Sequence, residues 1–98
     1  MPIENLLKIE KMITKRVKDE FGISRHDLLV IICCRSMEES LYSLENTHGL
    51  DRGLTMKRLK MLKSNGFIAK ESAGRRKVIK LGEKAQEVIR FVEGIEVV

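Results

Sequence analysis

The spacing of apolar positions divides the chain into five helical patterns and one pair of strands. Ile3, Leu6, Ile9, Ile13 and Val17 fall on one side of a helix over residues 3–20. Lys8, Lys11, Lys15 and Lys18 spread over its polar side, with Glu4–Lys8 at the helpful i, i+4 spacing. Gly22 should end this helix. Ser24-Arg25-His26-Asp27 is a capping-box pattern directly before the apolar run Leu28 to Cys34. Composition alone would allow that run to be a buried strand, but the capping box predicts a helix buried nearly all round. His26, in its first turn, reads as a surface residue.

A second capping box, Ser36-Met37-Glu38-Glu39, predicts a shorter helix through about Thr47, with Leu41 and Leu44 pointing inward and Tyr42 flanking the core. Gly49 supplies a turn and Leu50 returns to the core. Asp51 is the expected N-cap of a further helix that stops at Asn65-Gly66. Thr55, Leu59 and Leu62 mark its inward face, while Lys57 and Lys60 lie opposite with Met56 beside them. Phe67–Glu71 and Lys77–Leu81 then read as strands around the turn Ser72-Ala73-Gly74-Arg75. From Gly82 the helical pattern returns in Ala85, Val88, Ile89 and Val92, with Phe91 alongside, until Gly94 interrupts it before an apolar tail. Helix, short Gly-containing turn and second helix make a helix-turn-helix, and the hairpin after it adds a wing. The expected fold is therefore mostly α with a small β-hairpin wing.

Charge sharpens this picture. Between Arg52 and Lys80 stand ten Lys/Arg against one acid, Glu71, so this stretch carries +9 while the chain as a whole carries +5 and the remainder −4. A basic element on an otherwise mildly acidic chain is the electrostatic footprint of a nucleic-acid binder. A merely solvated lysine-rich surface explains a cationic helix face followed by a cationic hairpin less well. One Tyr, three Phe and no Trp leave few platforms for stacking unpaired bases, which favours duplex DNA.

Other chemistry is sparse. No Gly-rich phosphate loop, nucleophile with a base, or metal-ligand spacing stands out, so neither an enzyme nor a cofactor is expected. Cys33 and Cys34 are adjacent and read as buried small hydrophobes; a thiol-responsive switch is the alternative, and alkylation of the native protein discriminates. The apolar run at 28–34 is too short to span a membrane, and the N-terminus shows no secretory pattern, so a cytoplasmic location is expected.

Two segments carry a family resemblance. Leu59-Lys60-Met61-Leu62-Lys63-Ser64-Asn65-Gly66-Phe67-Ile68 is similar to the LxxLxxxGhI ending of the recognition helix in MarR-type and related small archaeal or viral transcriptional regulators. Lys77-Val78-Ile79-Lys80-Leu81-Gly82-Glu83-Lys84-Ala85 resembles their hxLTxxG junction between wing and last helix, with Gly82 in place of the usual Thr and Ala85 in place of the usual Gly. The resemblance covers roughly residues 24–92. It implies a winged helix-turn-helix over 24–81, flanked by dimerisation elements at 1–22 and 82–98, in a homodimer that binds double-stranded DNA. It also implies a recognition helix in the major groove, presenting Arg52, Gly53, Met56, Lys57 and Lys60, with Gly53 permitting close backbone approach. Arg58 falls nearer the core face. At the wing tip Arg75, Arg76 and Lys77 would reach flanking phosphates or a narrow minor groove. Two recognition helices one DNA turn apart, ~34 Å, call for a roughly palindromic site. The chain is shorter than typical MarR proteins, so no small-molecule effector is carried over. A winged helix serving protein–protein interaction in the transcription or replication machinery is the competing reading, and the +9 stretch counts against it.

Overall fold

The computed structural model describes residues 2–35, 39–73 and 76–95. In chain order the elements are α1 (Ile3–Phe21), α2 (Arg25–Cys33), β1 (Glu39–Ser40), α3 (Leu41–Asn46), α4 (Arg52–Ser64), β2 (Ile68–Ala73), β3 (Arg76–Leu81) and α5 (Glu83–Glu93). The three strands form one antiparallel sheet in the order β1-β3-β2.

The helix ends follow local chemistry. α1 stops at Gly22, which takes a left-handed φ of 70° and returns its N–H to the Lys18 carbonyl. Ser24 caps α2 in a reciprocal box: the Asp27 N–H donates to Ser24 Oγ, and the Ser24 N–H donates to the Asp27 carboxylate at 2.9 Å. α4 opens under Asp51, whose carboxylate accepts from the Leu54 N–H at 2.7 Å. At its far end Gly66 alone adopts the left-handed angle, φ 81°, while Asn65 stays at φ −98°.

Three expectations need correction. The third helix opens at Leu41, five residues after Ser36. Its N-cap is Ser40, which exchanges hydrogen bonds with Ser43 in a capping box of its own. Ser36, Met37 and Glu38 lie outside the described residues, and Glu39-Ser40 is drawn into the sheet opposite Ile79 and Val78. Tyr42 does not flank the core: it is 68% exposed. The hairpin strands run further than expected, pairing through Ala73↔Arg76, so two residues rather than four connect them.

The core gathers Val17 of α1, Ile23, Val30 and Ile31 of α2 and its approach, Leu44 of α3, Leu62 of α4, and Ala85 and Val88 of α5. Ile68 and Ile79 close it from the sheet. α1 lies along α5, where Phe21 and Phe91 meet edge to face at 5.4 Å and the Arg16 guanidinium sits 5.7 Å over the Phe91 ring. α2, α3 and β2 support α4 from beneath, leaving its opposite face to solvent.

Candidate nucleic-acid interface

α4 is held in place by α2 through two adjacent side chains. Arg58 grips the fully buried Asp27 carboxylate with two parallel hydrogen bonds, Nε to Oδ1 at 2.8 Å and Nη2 to Oδ2 at 2.6 Å. Burial by itself pushes the Asp27 carboxyl up, but hydrogen bonds from Arg58 and Ser24, with the guanidinium charge, outweigh it and hold the carboxyl below its ordinary value. One turn away, His26 Nε2 lies 2.8 Å from Thr55 Oγ1. The Thr55 hydroxyl donates to the Asp51 carbonyl at 2.7 Å, so it accepts from His26, which must carry its proton on Nε2. His26 is thus half-buried and engaged, not a plain surface residue. Arg58, expected near the core face, is committed to that face.

With Thr55 and Leu62 buried and Arg58 turned inward, the opposite side of α4 is exposed. It presents Gly53, Lys57, Lys60 and Ser64 along its centre, flanked by Arg52, Met56 and Lys63. No carboxylate occurs from Arg52 to Ser64. Among the described residues the ammonium groups of Lys57, Lys60 and Lys63 form no ion pair. Arg52 is loosely tied to α3, its Nη1 lying 3.9 Å from Glu45 Oε1, with over half of its side chain exposed. Apolar groups share this surface: Met56 is 53% exposed, and Leu54 and Tyr42 are also open to solvent.

The structure therefore brings Arg52, Gly53, Met56, Lys57 and Lys60 onto one helix surface. Lys63 belongs with them and was not singled out beforehand, although it continues the three-residue step from Lys57 and Lys60. Of the wing residues, Arg76 and Lys77 open β3 opposite Ala73 and Ser72, and Arg75 lies outside the described residues. A Cβ built at Gly53 would meet nothing nearer than Asp51 Oδ1 at 3.5 Å, an ordinary contact. Among the described residues nothing requires glycine there.

Elsewhere, Cys34 is buried and Cys33 half-buried against the core, as small hydrophobes would be. Among the described residues no cluster of three His, Cys, Asp or Glu could hold a metal ion, and no helix is long and apolar enough to cross a membrane. An open apolar groove of about 250 Å³ runs between α1, α2 and α5, lined by Leu6, Ile9, Ile13, Leu28 and Ile32.

No protein-family model matches the sequence, and no curated protein matches it. Solved structures do. The transcriptional regulator Tm0710 from Thermotoga maritima superposes with a TM-score of 0.76 at 17% identity, over 93% of this chain and 67% of that one. A MarR transcriptional regulator from Methanosarcina mazei Go1 gives 0.74 at 18% identity, over 92% and 62%. The fold is that of a MarR-type winged helix. A MarR-family regulator from Listeria monocytogenes, solved in complex with a 26mer DNA, gives 0.71 at 17% identity, over 90% and 61%. The chain spans about two thirds of the length of these proteins. In winged-helix terms α3 and α4 form the helix-turn-helix, and β2 with β3 forms the wing.

Proposed function

We propose that this winged helix binds double-stranded DNA as a homodimeric transcriptional regulator, with α4 in the major groove and the wing on the flanking backbone or minor groove. The observation that carries the reading is the outer face of α4. A row of lysines without carboxylate partners among the described residues is presented on a helix locked to α2 by a bidentate ion pair to the buried Asp27. Phosphates are the natural counter-charge for such a row, and a fixed helix axis gives the base-edge contacts a defined register. Lys57, Lys60 and Arg52 can clamp phosphates or reach guanine edges, while Met56 and Leu54 offer apolar contact to thymine methyl groups. Arg76 and Lys77 fit the wing-tip role by their place at the start of β3, and Arg75 by its position in the sequence just before them. The likeness to regulators, one of them complexed with DNA, supports the same reading and a binding protein rather than an enzyme.

Dimerisation is assigned to the segments 1–22 and 82–98. Leu6 of α1 and Ile32 of α2 are about half exposed in the groove that α5 borders, and Ile3 of α1 is open to solvent one turn before Leu6, so the lobe leaves apolar surface uncovered. The test is selection of duplexes from a random pool, followed by the solution mass of the complex. Enrichment of a near-palindromic duplex bound by two chains is expected. Failure to enrich any duplex, while the protein stays folded, would point to a protein partner instead.

A further inference from the structure

A second cationic surface lies on α1, a helix that packs on α2 and α5. Lys8, Lys11, Lys15 and Lys18 follow a 3-4-3 spacing, which at 3.6 residues per turn places them within about 80° of the helix circumference. All four are exposed, and none of their ammonium groups forms an ion pair among the described residues. They extend over about 15 Å of helix. Glu4 and Asp19 stand near the two ends of the row, while Glu10, round toward the groove, is occupied by Arg25. α1 packs on α2 and α5, so this row belongs to a different part of the molecule from the α4 face.

We infer that the lysine row of α1 is a second DNA-backbone site, through which one protein molecule or dimer holds two duplex segments together. The inference rests on α4 binding the first duplex. Steps of three and four residues set successive ammonium groups about 4.5–6 Å apart along the helix, a spacing that long lysine side chains can match to successive phosphates. The row holds no aromatic side chain to stack on bases, a single exposed apolar residue, Leu7, borders it on one side, and lysine is depleted in protein interfaces. A bilayer surface fits poorly. The apolar side of α1, marked by Ile13, projects about 180° from the centre of the row, so laying it on lipid would turn the lysines toward water. The same opposition leaves the row outward when the apolar side is covered by a second copy.

The test uses one duplex in two labelled pools, donor and acceptor, mixed with the full chain at low salt. Wild type should give energy transfer between duplexes, and Lys8→Gln/Lys11→Gln/Lys15→Gln/Lys18→Gln should lose that transfer while still binding a single duplex. Glutamine keeps helix propensity, and circular dichroism checks the fold. Equal transfer by the variant overturns the inference. Wild type that binds duplex without transfer also overturns it, and leaves the α4 reading intact; wild type that binds no duplex sinks that reading first. If wild type binds polyglutamate instead, and these four substitutions abolish that binding without any transfer between duplexes, the row serves an acidic protein and the inference fails.

Discussion

The Asp27 carboxylate and the Arg58 guanidinium meet through two parallel hydrogen bonds where α2 crosses α4. The same carboxylate accepts from the Ser24 N–H, so one buried residue caps α2 and seats the candidate recognition helix. Arg58→Ala leaves that carboxylate buried without its counter-charge. It should destabilise the fold by about 2–3 kcal/mol, a figure below that for wholly buried pairs because a third of the Arg58 side chain is exposed. Arg58→Lys should recover only part of this, since an ammonium cannot span both oxygens. Urea denaturation of the two variants checks both values.

Asp27 also predicts an acid limb. Its carboxyl titrates below its ordinary value of 3.8 in the folded protein, so the folded state favours the ionised form. The resulting stabilisation is present in full above the ordinary carboxylate range and is lost as pH falls through the folded value. Stability should therefore drop below about pH 4, and Asp27→Asn should be less stable at neutral pH with a flatter acid limb. Denaturation midpoints followed from neutral pH downward measure the two slopes.

Gly82 sits where the wing meets α5, and a Cβ there would stand 2.5 Å from the Gly66 carbonyl oxygen. The backbones are drawn together by the Gly82 N–H donating to the Phe67 carbonyl at 2.9 Å. The departure from the threonine usual in MarR-type sequences thus has a steric reason in this chain. Gly82→Thr should destabilise by about 1–3 kcal/mol despite restoring a side-chain N-cap, as read by thermal unfolding.

Gly53 should separate stability from binding. The site has room for a methyl group, and alanine favours a helix more than glycine, so Gly53→Ala should stabilise the fold by about 0.5–1 kcal/mol. The same methyl group would stand between α4 and an approaching DNA backbone, so duplex affinity should fall. Denaturation and duplex titration of this variant should move in opposite directions.

Local chemistry made much of the fold legible. The Ser24–Asp27 capping box, the Asp51 cap and the stops at Gly22 and Gly66 act within a few residues of chain, and each is found in the structure. What escaped the sequence is non-local or too short for a period. Asp27 and Arg58 are 31 residues apart, beyond the reach of any local spacing pattern, and His26 finds Thr55 across 29. The strand Glu39-Ser40 has two residues and exists by pairing with β3, so no alternation announces it. Ser40 caps α3 because Ser43 can return the second hydrogen bond of a box as an acid would. The cationic face of α4 was readable because the inward residues Thr55, Leu59 and Leu62 fix the helix rotation.

The most direct measurement is duplex-DNA affinity across a range of salt concentrations for wild type and Lys57→Gln/Lys60→Gln. If the outer face of α4 lies on DNA phosphates, wild-type affinity falls steeply with salt and the double variant flattens the log–log slope by roughly two units. An unchanged slope in a folded variant, or a wild type that fails to bind duplex even at low salt, contradicts the account.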